Sequence, residues 1–248
     1  SALSLFGGVV APARLAAMKQ EARWAMAELG RCRDLDVFAT EVLPPVAAGR
    51  PNDAALAQLR ATAEDARERA YERLREVLAS ARYTHFLLGL GAWLAGRGWY
   101  EEAGTETALR LAEPLGPFAD RMLEKRAEAV RKRGKHFEAL DSFHRHEVRK
   151  TLKKLRYATD FFRDLYPEKA AKPYLKRLSA LQDAFGHMND MAAAEDLLHD
   201  VVDGADARFT EARGLVLGWY AHAAGSAEAE LVTDWQAFVD TAPFWRER

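Results

Sequence analysis

Between His146 and Tyr157 the chain reads His-Glu-Val-Arg-Lys-Thr-Leu-Lys-Lys-Leu-Arg-Tyr, a spacing of cations suited to gripping an anion. On a helix, His146, Arg149, Lys150, Lys153, Arg156 and Tyr157 share one face, with Arg145 and Lys154 at its margins. At 1.5 Å rise per residue, His146 to Arg156 covers about 15 Å. Only Glu147 interrupts the positive run. Arg and Lys hold anionic oxygens through charge-assisted hydrogen bonds, Arg in two-pronged fashion. A merely solvated helix face mixes its signs, because like charges one turn apart repel. Anion capture is therefore the stronger reading of this face. Tyr157 either donates its hydroxyl to the anion or anchors the helix.

The charge balance of the whole chain sharpens that reading. Residues 121–156 hold 13 Lys/Arg against 5 Asp/Glu, while the rest of the chain holds 23 against 32. A net charge of −1 thus conceals a concentrated positive zone in an otherwise acidic protein, the pattern of polyanion capture. Arg121, Lys125, Arg126, Arg131, Arg133 and Lys135 belong to a neighbouring helix and its end. Arg126 and Arg133 are candidate anion ligands from that second helix. Arg131 to Lys135 have an alternative use against the last carbonyls of their own helix. His146 shares its face with four cations, which disfavours its protonation until an anion arrives.

Catalytic and metal-binding patterns are missing. The chain has no Gly-x4-Gly-Lys-Ser/Thr loop, no Gly-x-Gly-x-x-Gly and no His-Glu-x-x-His. His144 and His146 are two apart and point to different faces of a helix, and the remaining histidines lack partners at ligand spacing. Asp34-x-Asp36 reads better as a helix cap than as a metal pair. No metal and no cofactor are expected, and the chain reads as non-enzymatic. The single cysteine, Cys32, rules out an internal disulfide and suits a reducing compartment. The longest apolar run, 83–96, is too short to span a membrane, and no secretion signal opens the chain. A cytoplasmic setting is expected.

The elements that must position these residues are helical throughout. Val148, Leu152, Leu155, Thr159 and Phe162 form the inward stripe opposite the cations, on a helix from about 141 to 165 stopped by Tyr166-Pro167. Pro114 and Pro117 precede a helix from about 118 to 133, ended by Gly134. Upstream, a helix from Pro12 to Leu29 points Leu15, Met18, Ala22 and Met26 inward. Gly30 ends it and Asp34 caps the next. A polar helix runs from Asn52 or Asp53 to Ala79, and an apolar, buried one from Tyr83 to Leu94. Residues 96–104 read as loop. Helices follow at about 168–185, 190–201, 205–224 and 226–240, with Gly186 and Asp190 repeating the Gly30/Asp34 turn. Pro243-Phe244-Trp245 plugs the core, and no segment alternates with period two. Gly30 to Gly186 and Asp34 to Asp190 are both 156 residues apart, which suggests an internal duplication.

His146-x-x-Arg149-Lys150-x-x-Lys153-Lys154-x-Arg156-Tyr157 resembles the signature of the CHAD family, the conserved-histidine α-helical domain. Tyr174-Leu175-Lys176-Arg177-Leu178, leading to Leu181-Gln182, Gly186, Asn189 and Asp190, resembles the segment that follows it. Leu29-Gly30 with Arg33-Asp34-Leu35-Asp36-Val37, and Ser80-Ala81-Arg82-Tyr83, resemble the first-half landmarks. The resemblance covers nearly the whole chain. It implies an all-α fold of two pseudo-symmetric helical half-bundles around a basic cavity, with inorganic polyphosphate or a similar polyanion as partner. Lys176, Arg33 and Arg82 join the candidate site on this ground alone.

Two departures matter. CHAD domains often accompany a CYTH triphosphatase domain, whose Glu-x-Glu-x-Lys motif has only Glu228-x-Glu230 with Val232 here. The 156-residue offset also sets Ser1 against Tyr157, so the first half, about 1–134, lacks its first basic helix segment, and the second half is about 135–248. The native polypeptide is expected to continue upstream with a further His- and Arg-rich turn. A single domain over residues 1–248, binding polyphosphate in the cytoplasm or at polyphosphate granules, is the expectation. Nucleic-acid binding is the weaker alternative, because aromatics do not interleave the basic stripe. A docking module for a phosphohydrolase such as a CYTH-type triphosphatase is the other.

Overall fold

A computed structural model describes residues 2–7, 12–101, 104–201 and 209–246, and every regular element among them is helical. The helices are α1 (Ala2–Leu5), α2 (Pro12–Val37), α3 (Leu43–Gly49), α4 (Ala54–Ala79), α5 (Ala81–Ala95) and α6 (Gly98–Glu101), then α7 (Thr105–Leu111), α8 (Leu115–Arg133), α9 (Ser142–Phe162), α10 (Glu168–Val201) and α11 (Thr210–Val239). A π-type turn, Phe38–Val42, follows α2, and tight single turns lie at Phe137–Ala139, Arg163–Leu165 and Phe244–Arg246. The all-α expectation holds.

The chain forms two compact units built from interleaved segments. One comprises Ser1–Val9, Gly104–Asn189 and Ala224–Arg248; the other comprises Val10–Ala103 and Asp190–Ala223. The first unit is organised around α8 and α9, which pack along each other. Val148, Leu152, Leu155, Thr159 and Phe162 are all buried, as their spacing requires, against Leu123, Val130, Leu178, Leu181 and Leu231. Each fully buried aliphatic side chain contributes about 1.5–3 kcal/mol relative to exposure. Asp141 caps α9, its carboxylate accepting from the His144 backbone at 2.8 Å. Phe244 and Trp245 close the same core as the expected plug. Gly134 ends α8 without a left-handed conformation. What requires glycine there is proximity, since a Cβ would stand 2.0 Å from the Trp235 ring.

In the second unit α2, α4 and α5 pack on one another, over a core that includes Leu35, Phe38, Val42, Leu59, Leu198 and Val216. Asp53 caps α4 by accepting from the Ala55 and Leu56 backbones at 3.0 Å, and Ser80 caps α5.

Local expectations fail in several places. Helix α2 runs through Gly30 to Val37, and α10 runs through Gly186 to Val201, so neither glycine makes a turn. No described glycine has a positive φ; a lone glycine costs a helix only about 1 kcal/mol, which the flanking helix formers offset. The side chains of His187, Asn189 and Asp190, and residues 202–208 where the third of these helices was expected to start, lie outside the described set. Helix α11 is likewise one helix rather than two. Met26 is 63% exposed and Ala25 is buried in its place, because the inward stripe of a 26-residue helix drifts relative to a fixed repeat. Helix α5 is apolar but buries only Trp93 among its large side chains, leaving Leu87, Leu88 and Leu94 exposed. Finally, 105–111, given no assignment by pattern, is helix α7.

The starts of α2 and α10 (Pro12, Glu168) and of α4 and α11 (Ala54, Thr210) are each 156 residues apart, the same offset seen in the sequence. The compact units are not the sequence halves 1–134 and 135–248; each draws on both.

Candidate anion-binding site

Helix α9 is the chassis of the site. Its buried stripe fixes the helix's rotation, and the opposite side presents His146, Lys150, Lys153, Lys154, Arg156 and Tyr157 to solvent, with Arg149 half-buried. Lys150, Lys153, Lys154 and Tyr157 line a concavity of about 320 Å³ whose lining also includes Arg126 of α8, Ser4 and Leu5 of α1, and Ala158 and Phe161. Arg126 is held there by donating from Nη2 to the Ser4 hydroxyl at 3.1 Å and carbonyl at 3.4 Å. Four cations thus converge on a floor that is mostly apolar.

Carboxylates do not neutralise this cluster evenly. Glu147 accepts from Lys150 at 2.6 Å and pairs with Arg133 at 3.4 Å. The bond from Lys150, with the nearby charge of Arg133, holds its carboxyl below the ordinary range, so it is ionised at neutral pH. Among the described residues Lys154 makes no ion pair. Arg156 turns toward α10, donating to Gln182 at 2.9 Å with Asp160 3.6 Å away. Lys153 lines the concavity with Lys150, Lys154 and Tyr157, whereas Arg149 and Arg156, which share their face of α9, are not among its lining residues.

The other candidates are not among the residues that line that concavity. Lys176, exposed on α10, lines a second hollow with Arg163, Lys172 and Tyr166. Arg33 and Arg82 belong to the second unit. Arg33 pairs with Asp34 at 3.3 Å. Arg82 makes a two-pronged pair with Glu21, at 2.8 and 3.1 Å, and its guanidinium lies 4.1 Å from the Trp24 ring centre. Asp36, considered as a metal residue, instead accepts from Arg67 and Tyr71 at 2.6 and 2.7 Å. Among the described residues no group of three His, Cys, Asp or Glu side chains is placed to hold a metal. No helix among them is long and apolar enough to cross a membrane.

Several residues of the basic zone are structural. Arg145, at the margin of the cationic face by spacing, is 8% exposed. It pairs with Glu228 at 2.8 Å and lies over the Phe137 ring. Arg131 does not serve the last carbonyls of α8 but pairs with Glu124 at 2.7 Å. Glu124 also accepts from Trp245 Nε1 at 2.8 Å and Arg246 Nε at 3.0 Å. The Arg246 bond, with those of Trp245 and Arg131, draws its pKa down to about 2 against the opposing effect of burial. Ser4 and Phe161 went unnoticed in the sequence. Phe161 continues the Lys150–Lys154–Tyr157 stripe and was visible at that spacing, whereas Ser4 meets Arg126 only through the tertiary fold.

Comparison with known proteins identifies the family. Residues 1–199 match the CHAD domain. Among solved structures, the crystal structure of the CHAD domain from the plant Ricinus communis superposes with a TM-score of 0.78 at 28% identity, over 97% of this chain and 77% of that one. No curated protein matches. With four-fifths of its sequence matched to the CHAD domain, the chain belongs to the CHAD domain family.

Proposed function

We propose that this protein binds inorganic polyphosphate without catalysing its turnover, and that the concavity on α9 is where it does so. The observation that carries this reading is the convergence of Arg126, Lys150, Lys153 and Lys154 on one hollow. A phosphate chain supplies regularly spaced negative oxygens, and each cation that engages one releases counterions. His146, Arg149, Arg156 and Arg133, on the same helix pair, extend the positive surface along the chain's path; Lys176, Arg33 and Arg82 are not needed for it. The shared 156-residue offset of α2 with α10 and of α4 with α11 supports a single domain of two related halves. A cytoplasmic or granule-associated setting follows from the ligand.

The test is competition at equal phosphate charge between polyphosphate and duplex DNA, across a salt series. Polyphosphate should win, with affinity falling steeply as salt rises. Changing Lys150, Lys153 and Lys154 together to Glu should remove binding and leave helicity unchanged, since these side chains are exposed. Reversing the exposed Arg60, Arg69 and Arg75 on α4 should matter little. DNA outcompeting polyphosphate would move the assignment to nucleic acid, and equal losses from the two triple variants would mean generic attraction rather than a site.

A further inference from the structure

The floor of the concavity offers more than a purely inorganic ligand uses. Tyr157 and Phe161 are 52% and 57% exposed, and both line the same hollow as Lys150 and Lys154. All four lie on one stripe of α9, at intervals of four, three and four residues. Phe161 is braced from behind, with Phe6 edge-on at 5.3 Å and Phe162 at 5.8 Å. The Tyr157 hydroxyl has no hydrogen-bond partner among the described residues. Exposed aromatic rings beside lysines cost solvation if only phosphate occupies the hollow, and they gain stacking if a flat ring does.

The order of residues along the stripe sets a polarity. Aromatic rings occupy one end, Lys154 and Lys150 follow, and Glu147 closes the other end one turn beyond Lys150. Tyr157 and Lys150 are about 10 Å apart along the axis, comparable with the reach from a nucleobase to the end of its triphosphate. Glu147, ionised and already paired with Lys150 and Arg133, repels further phosphates beyond that point. From this arrangement, and resting on the phosphate-binding reading of the same concavity, we propose that the site takes a short phosphate chain bearing an aromatic end group. A nucleoside polyphosphate, its base on Tyr157 and its phosphates on Lys154, Lys150, Lys153 and Arg126, is the ligand class that fits.

The experiment is calorimetric titration of the 248-residue chain with ATP and with inorganic tripolyphosphate, at one ionic strength and without divalent cations. Tripolyphosphate has the same number of phosphates and the higher charge, so charge alone ranks it first. The expected result is that ATP binds about tenfold more tightly, the contribution of one stacked base. Tyr157→Ala should remove the ATP advantage, so that ATP and tripolyphosphate bind that variant equally, and Tyr157→Phe should keep the ATP advantage. Tripolyphosphate binding as well as ATP or better, or an ATP advantage that survives Tyr157→Ala, overturns this inference while leaving phosphate binding in place. Failure of both ligands, and of polyphosphate, overturns the phosphate reading itself.

Discussion

The helix pairs α2–α4 and α8–α9 are both rich in arginine and lysine, yet they handle charge in opposite ways. Along α2–α4 the antiparallel register sets Asp36 against Arg67 and Glu28 against Arg73, while Glu21 meets Arg82 of α5. Each of these three arginines meets a carboxylate on a neighbouring helix. Along α8–α9 the acidic partners are diverted. Glu124 is taken by Arg131, Trp245 and Arg246, Glu113 is taken by Arg121, and Glu147 alone stands on the cationic stripe. The count of cations is therefore a poor guide to a binding surface. What matters is where the carboxylates are held.

The largest expected effect tests whether uncancelled charge is enough. Changing Glu21, Glu28 and Glu64 to Gln and Asp36 to Asn removes the negative charges paired with Arg67, Arg73 and Arg82 on the second unit. If the concavity of the α9 site also matters, the freed surface should bind polyphosphate at least a hundredfold more weakly than the native site, with a shallow salt slope. Measurement in the Lys150/Lys153/Lys154→Glu background isolates the new surface. Affinity comparable with the native site would show that concentrated charge suffices.

A smaller effect concerns Glu124, whose job is to hold the tail rather than a ligand. Its folded pKa of about 2 lies below the ordinary carboxylate value. Its stabilisation is therefore complete above about pH 4.5 and lost as pH falls toward 2. Glu124→Gln should cost about 2–3 kcal/mol at pH 7, leaving polyphosphate binding unchanged. Denaturant unfolding at pH 7 and pH 3 should show the variant losing less between the two than the wild type does. An equal loss in both would assign the acid sensitivity elsewhere. Asp36→Asn, by comparison, should cost about 1 kcal/mol, because it weakens but does not abolish the bonds to Arg67 and Tyr71.

These contrasts also mark what could be read in the sequence. The two faces of α9 were legible, since a stripe as regular as Val148, Leu152, Leu155 and Phe162 leaves one rotation of the helix, and all four are buried. The caps Asp53 and Asp141 were legible because their effect is local. Gly30 and Gly186 misled because a glycine's cost in a helix is small beside the propensity of a long run. Arg145 misled because its burial depends on Glu228, more than 80 residues away. Helix α5 misled differently: composition states what a helix would bury, whereas packing decides what it does bury. The grouping of Arg126 with Lys150, Lys153 and Lys154, and the interleaved units, arise from tertiary packing with no local signature.

The smallest and sharpest effect belongs to Glu147, the one carboxylate on the stripe. In the free protein it neutralises Lys150 at 2.6 Å and draws on Arg133 at 3.4 Å. A phosphate chain must therefore compete with Glu147 for Lys150, and must also bear its repulsion. Glu147→Gln keeps the shape and the exposed position while removing both penalties. Affinity for polyphosphate should rise by about three- to tenfold at low salt, and the salt slope should steepen by about one as Lys150 becomes a full contact. Lys154→Ala should do the reverse, lowering the slope by about one, since Lys154 has no carboxylate partner to lose among the described residues. Lys150→Ala in the wild type should cost less than Lys154→Ala, and in the Glu147→Gln background the two should become equal. If Lys150 and Lys154 cost the same in both backgrounds, the carboxylate does not tune the site, and the contrast drawn between the two helix pairs loses its cause.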